Sequence, residues 1–508
     1  MKTSAIVMLF AAAAAAQTFD VRAHGAKGDG VTLDSPAIQK AIDAAFSAGG
    51  GVVVLPAGNY LSGTLVLKSN VSLRLYPGAT LWASKRAEDY NPRRLIYAVD
   101  AENIAVEGQG TINGNGDTWW DKQTGRRSYK AMPGRPSPLL EFVNSRNVRV
   151  QDVSIRQAPG WAIHPLECDG VLIRGIRIIA DPRGPNTDGI DPDSSRNVLI
   201  ADSFIDTGDD AIVIKTTGQR GGKILPSENI TITNCVLTTR CNAFKMGTES
   251  RGDFRNISVT NCAIYGKPDT VQRPISGIAV EMVDGAVTDG VVVSNITMRD
   301  VDTPIFIRLG NRGRGQAVPT TGSLRNVSIN NVIAAGGTMS SSVTGLPGHR
   351  VQNVSLTGIN ITMKGGEQEV RGLLDVPEQE DKYPEARMFG KLPSHGFFVR
   401  HVEGLTMRSL QLRTEEPDVR PAMIFHDVRE LDLDGFRADS VHGKEAVLWF
   451  HDVVGAMVRG ARTPHAVQDF LRVTGAASRS IQLSNNQVAP AGRMVRIGED
   501  VGDGAVIE

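Results

Sequence analysis

Short runs in which apolar and polar residues alternate recur down most of the chain. "RNVRVQDVSI" (146–155), "DGVLIRGIRI" (169–178), "RNVLIADSFI" (196–205), "ENITITNCVL" (228–237), "RNISVTNCAI" (255–264), "DGVVVSNITM" (289–298), "RNVSINNVIA" (325–334) and "QNVSLTGINI" (352–361) fit one template. A turn residue, usually Asn, opens it, and an alternating apolar strand follows. The first apolar positions are Val148, Val171, Val198, Ile230, Ile257, Val291, Val327 and Val354, separated by 23, 27, 32, 27, 34, 36 and 27 residues. Alternation gives each strand one inward face. A single such coil cannot bury that face, so it must be covered by the coils above and below. The pattern predicts an all-β chain wound as a right-handed parallel β-helix. "EGLTMRSLQL" (403–412) and "RELDLDGF" (429–436) continue it more faintly. Asp202, Asn234, Asn261 and Asn331 recur at one place in the template, which predicts a side-chain hydrogen-bond ladder at a bend.

Helical spacing appears ahead of the repeats. In "SPAIQKAIDAAFSAGGG" Ser35 is the expected N-cap and Pro36 the first helical residue. Ile38, Ile42, Ala45 and Phe46 form an apolar stripe, and Gly49 to Gly51 stop the helix. Such a helix would cap the open end of the solenoid, which otherwise exposes strand edges.

Composition narrows the class. The 508 residues are 41% hydrophobic and 22% charged, with Lys+Arg and Asp+Glu both 55. No basic excess calls for a nucleic-acid partner. "MKTSAIVMLFAAAAAAQTFD" has the charged start, short apolar run and small residues of a secretory signal, with cleavage expected after Ala16. Residues 1–16 are therefore set apart from a single domain over 17–508. No segment is long and apolar enough to span a membrane, and a secreted or periplasmic monomer is expected. The cysteines Cys168, Cys235, Cys241 and Cys262 match no zinc spacing and read as buried thiols. The Asn-x-Ser/Thr triplets fall in the template, where bend chemistry accounts for them better than glycosylation.

Acidic residues cluster in "GPNTDGIDPDSS" (184–195) and "FIDTGDDAIVIK" (204–215). Asp188 lies 21 residues before Asp209 and 22 before Asp210. One turn of a β-helix returns the chain over itself about 4.8 Å higher, so the three carboxylates are expected on one outer face. Grouped carboxylates can divide labour. Repulsion and desolvation keep one protonated as an acid, while the others stay ionised to activate water. That is the equipment of glycoside hydrolysis. The competing readings are solvated turn residues, or a calcium site at Asp188, Asp191 and Asp193.

"NTDGID" followed by "DTGDDAIVIK" resembles glycoside hydrolase family 28, the polygalacturonase and rhamnogalacturonan-hydrolase family. "DVRAHGAKGDGVTLDSPAIQKAIDAA" and "PAGNYLSGTLVLKSNVSLRLYPGATLWAS" resemble its N-terminal part. The likeness covers roughly residues 18–340, with the N-terminal cap over about 17–95 of a pectin-lyase-like β-helix. It implies an inverting hydrolase of α-linked pectic glycans, galacturonan or rhamnogalacturonan, acting without metal or other cofactor. By the resemblance Asp209 is the general acid, and Asp188 and Asp210 activate water. Two motifs depart from the family. Cys241-Asn242-Ala243 stands where it has Gly-His-Gly, and Ala279-Val280-Glu281 where it has Arg-Ile-Lys, the galacturonate clamp.

Alternation places Lys215, Glu281 and Arg308 in one outward column, with Lys245 in the next. Lys245 and Arg308 are the expected replacements for the clamp. Lys215 and Asn242 join the expected substrate-binding set. Trp120, beside Trp119 in a polar loop, is expected to stack on sugar, and His164 to touch substrate or replace the missing histidine. Inserts at about 115–137, 312–323 and 364–395 are expected to wall the groove, which favours exo action. The alternatives are a lyase-like eliminase, which needs a basic centre, and a non-catalytic glycan-binding solenoid.

Overall fold

A computed structural model describes residues 17–508 except 124–127, 268–269, 271, 439–444, 464–466 and 490–491. The expected signal segment and the tip of the insert at 115–137 lie outside the described residues. The chain forms a right-handed parallel β-helix, coiled through three stacked sheets. In the first sheet the template aligns as the spacing predicts. Val148, Val171, Val198, Ile230, Ile257, Val291, Val327 and Val354 are consecutive register partners. The column runs on through Leu405, Leu431, Ala456 and Ile481. These side chains belong to one apolar cluster extending from Val21 to Leu483.

The bends explain the Asn of the template. Asn234, Asn261, Asn295 and Asn331 adopt φ of 53–56°, a left-handed conformation that Asn tolerates better than other side-chain-bearing residues. Their amides stack. Asn234 donates to Asp202 at 3.1 Å, Asn295 to Asn261 at 3.0 Å and Asn331 to Asn295 at 2.7 Å. All four cysteines are free thiols; Cys168, Cys235 and Cys262 are buried as expected, whereas Cys241 is only half-buried.

The helix α1 spans Ser35–Ser47. Its N-cap is Asp34 rather than Ser35, and that carboxylate accepts from Lys27 N–H at 2.7 Å and Gly28 N–H at 3.0 Å instead of capping the helix. Ile38, Ala41, Ile42 and Ala45 join the main core, whereas Phe46 is 46% exposed. Among the described residues no helix is long and apolar enough to cross a membrane.

The third sheet carries most of the candidate chemistry. Its strands are β1 (Ile163–Leu166), β2 (Ile212–Thr216), β3 (Asn242–Ser250), β4 (Ser276–Met282) and β5 (Thr303–Leu309). They continue as β6 (Ser341–Thr344), β7 (Phe397–Arg408), β8 (Met423–Asp434), β9 (Leu448–His451) and β10 (Asp469–Thr474). Ile190 bridges Ile163 of β1 and Ile212 of β2, so residues 184–195 supply the coil between them. Ile212 and Ile214 point into the core, which turns Val213 and Lys215 outward. Beyond β3 this outer face has its own apolar cover. Leu373, Val376, Ala386, Phe389 and Leu392 pack on Ala279, Phe306, Phe398 and Ile424 in a second core.

Candidate active site

The turn that carries Asp188 lies directly on the strand entry that carries Asp210. Gly189 N–H donates to the Asp210 carbonyl at 3.0 Å, and Ala162 N–H to the Asp188 carbonyl at 2.9 Å. Gly189 is required here, because a Cβ would run into the Ala211 carbonyl. The same holds at Gly208, where a Cβ would meet the Asp181 carbonyl at 2.6 Å. The spacing of about one coil thus brings the three aspartates together, and none of them belongs to the apolar core.

Their surroundings differ. Asp210 is buried, and Asn242 grips its Oδ1 through the side-chain amide at 2.8 Å and the backbone N–H at 3.0 Å. Lys245 Nζ sits 3.1 Å from its Oδ2. Burial alone would raise this carboxyl, but Lys245 and Asn242 overcome it and hold the group below the usual range. Asp209 is only partly buried by its neighbours, and its Oδ1 accepts from Asp210 N–H at 2.9 Å. Desolvation, then the charge of Asp210, push it up to about 6. Asp188 is raised well above its usual value by burial, with Lys215 opposing and Asp191, Asp209 and Asp210 adding repulsion. Asp209 and Asp188 are therefore both suited to carry a proton near neutrality, while Asp210 stays charged.

The cations of this face are enclosed. Lys215 Nζ lies 3.3 Å from Asp188 and 2.8 Å from Asp191, and 3.6 Å from the centre of the Trp161 ring. Its ammonium occupies the space between these two carboxylates that the calcium alternative would need. Lys245 bridges Asp210 and Glu281, the latter at 3.4 Å, and donates to the Tyr383 hydroxyl at 3.2 Å. Burial raises Glu281 to about 8, against the opposing charge of Lys245. A pocket of about 610 Å³ opens beside the cluster. Arg135, Trp161, Asn186, Arg251, Asp284 and Arg314 are among its lining residues. Arg135 feels the charges of both Asp188 and Asp209.

Glycosyl hydrolases family 28 matches residues 50–378. The chain belongs to that family. It is a glycoside hydrolase, which sets aside the eliminase and non-catalytic alternatives. A probable polygalacturonase of Vitis vinifera is 26% identical over 66% of this chain and 72% of its own length. Polygalacturonase-2 of Solanum lycopersicum is 30% identical over 57% of this chain and 62% of its own length. Among solved structures, the hyperthermoactive exopolygalacturonase of Thermotoga maritima shares the fold, with a TM-score of 0.60 and 22% identity. That superposition covers 78% of this chain and 92% of the other.

Within this family 28 chain, several expected substrate contacts take other places. Arg308 is fully buried, and its guanidinium donates to the carbonyls of Gly345 at 3.0 Å, Glu378 at 2.7 Å and Gln379 at 3.3 Å. It anchors the crossing segment 366–396 and cannot reach a sugar. Its register partner is Glu281, as alternation implies, but the two side chains form no ion pair. Trp120 is 4% exposed. It donates to the Pro159 carbonyl at 2.9 Å and stacks on Tyr129, so its ring fills the insert instead of meeting solvent. His164 has both ring nitrogens engaged, by Glu141 at 3.1 Å and Asp193 at 3.5 Å. Lys215, Lys245 and Asn242 are spent on the aspartates. Sequence reasoning missed Arg135 and Tyr383, which reach the site from inserts outside the template. The one signal was the length of those inserts.

Proposed function

We propose that the protein hydrolyses α-linked pectic chains containing galacturonate, with inversion, from one chain end. The observation that carries the reading is the unequal pair Asp209 and Asp210. Asp209, raised to about 6 by burial and its neighbour, protonates the departing glycosidic oxygen. Asp210, held ionised by Lys245 and Asn242, draws the proton from the attacking water. Asp188 orients that water from the adjoining coil. Arg135, Arg251 and Arg314 on the pocket wall complement a uronate carboxylate. Pectic substrates also suit the polygalacturonase relatives.

What covers the sheet supports exo action. Where the family resemblance places the carboxylate clamp, Ala279 lies under Phe389 and its apolar neighbours. Tyr383 sits against Lys245, and Arg312 packs on the Tyr383 ring at 5.6 Å. A groove running along the solenoid is closed there, so a chain end enters the pocket instead of a chain interior crossing it. The apolar N-terminal run and the polymeric substrate support action outside the cytoplasm.

The deciding experiment is NMR of the first anomer released from defined galacturonan and rhamnogalacturonan oligosaccharides, with Asp209→Asn as control. Release of the β-anomer from an α-linkage by the wild type alone supports the reading. Retention, or an equally active variant, overturns it.

A further inference from the structure

The outward column that starts at Glu281 and Arg308 continues past the crossing segment. Its register partners are Thr344, Arg400 of β7, His426 of β8, His451 of β9 and Thr474 of β10. Stacking at the spacing of neighbouring strands brings two imidazoles face to edge, with ring centres 5.0 Å apart. Asp452 follows His451 at a φ of 54°, and its carboxylate lies beside the His451 ring. One ligand atom each from His426, His451 and Asp452 lie within 4.8 Å of one another.

We infer that His426, His451 and Asp452 form a binding site for a divalent transition metal ion such as Zn²⁺, separate from the aspartate cluster. The ligand set is two imidazoles and one carboxylate, which suits borderline cations better than Ca²⁺ or Mg²⁺. His451 Nε2 and Asp452 Oδ2 are 3.5 Å apart. Two ligands each about 2.1 Å from a tetrahedral ion stand about 3.4 Å apart, so this edge already has the needed length.

The outer partners point the same way. His451 Nδ1 lies 2.9 Å from Thr474 Oγ1, which also accepts from Trp449 Nε1 at 2.8 Å. With the proton on Nδ1, His451 donates to that hydroxyl and presents the Nε2 lone pair to Asp452. Asp452 Oδ1 accepts from Ala477 N–H at 3.0 Å, which leaves Oδ2 for the ion. Metal-bound histidines and carboxylates are commonly fixed by such hydrogen bonds. His426 Nδ1 is buried and has no hydrogen-bond partner among the described residues. A buried ring nitrogen without a partner carries a cost that a ligand would remove.

Nearby positive groups are already matched. Arg400 pairs with Glu378 at 3.1 Å, and His401 lies between Asp427 at 2.7 Å and Glu378 at 3.2 Å. All three proposed ligands are half-buried, so an ion can enter from solvent. Bound there, it would cross-link β8 to β9 and the turn after β9.

The test is titration of the metal-stripped full-length enzyme with Co²⁺, read by its visible absorption, and with Zn²⁺ by calorimetry. The inference expects one equivalent bound and a rise in melting temperature. It also expects affinity to fall at least about tenfold in both His451→Gln and Asp452→Asn, as loss of a ligand does. Hydrolysis of oligosaccharides should be unchanged in both variants, which separates this site from the proposed catalytic one. Absence of saturable binding by the wild type overturns the inference without reference to any variant. Binding that survives both substitutions overturns it too, and would move the ion to Asp209, Asp210 and Cys241.

Discussion

Asp209 and Asp210 share a peptide bond, yet one stands partly open beside a thiol and the other is clasped by Asn242 and Lys245. With Asp209 near 6, its acid form is lost as pH rises through that value, so kcat/KM should fall on the alkaline side from about pH 6. Asp209→Asn should lower kcat by about 10²–10⁴-fold with little change in KM, since a general acid acts in the transition state. Lys245→Met removes the charge that depresses Asp210, so the acidic limb should move to higher pH and narrow the profile. A pH–rate series on one oligosaccharide checks all three. His164 titrates in the stability instead. Burial opposes its charge, but Asp193 and Glu141 raise it from the ordinary 6.5 to about 9. Its contribution is complete below pH 6.5 and is lost as pH rises through 9, about 3 kcal/mol across that window. Melting curves at pH 6.5 and 9.5 should differ more in the wild type than in His164→Gln. The aspartates were legible in the sequence because their separation matches one coil. The partners of Lys245 were not, because alternation tells which face a residue takes and not what later covers it.

At the scale of elements, the template was readable and the crossing segment was not. Val148 to Val354 fall into one register because every strand repeats the same alternation between the same bends. Residues 366–396 contain no repeat, so their place across β4 to β8 is fixed by Leu373, Val376, Phe389 and the buried arginines. The ladder offers a clean test of the bends. Asn295→Ala loses bonds to Asn261 and Asn331 and puts a methyl side chain at a φ of 56°. It should cost about 1–2 kcal/mol by denaturant titration. Asn295→Gly keeps the backbone relaxed and should cost less, and an equal loss would mean that the hydrogen bonds alone matter. Arg308→Ala removes donors to Glu378 and Gln379 and should speed proteolysis within 366–396 before any other segment is cut.

For the whole molecule, coil and cover have opposite effects on a polymer. A bare β-helix offers a long open face on which a chain could lie across many coils. Here the third sheet is free beside Asp209 and roofed from Ala279 to Ile424, while Arg135 and Arg314 approach from inserts on the pocket wall. On the proposed exo reading, substrate extends from the aspartates in one direction. If short units leave from chain ends as proposed, the viscosity of polygalacturonate should fall slowly as reducing ends accumulate. Early products should be one size, without the ladder of intermediates that internal cleavage leaves. Oligosaccharides blocked at the end that enters the pocket should resist cleavage, while those blocked at the other end should not. Arg308→Ala tests whether the roof sets this behaviour, because it loosens the segment without touching the carboxylates. In that variant intermediate-sized products should appear while the rate on a short oligosaccharide stays within about threefold, as expected when transition-state contacts are kept. A product profile unchanged despite faster proteolysis of the segment would show that the insert at 115–137, not the roof, stops the chain.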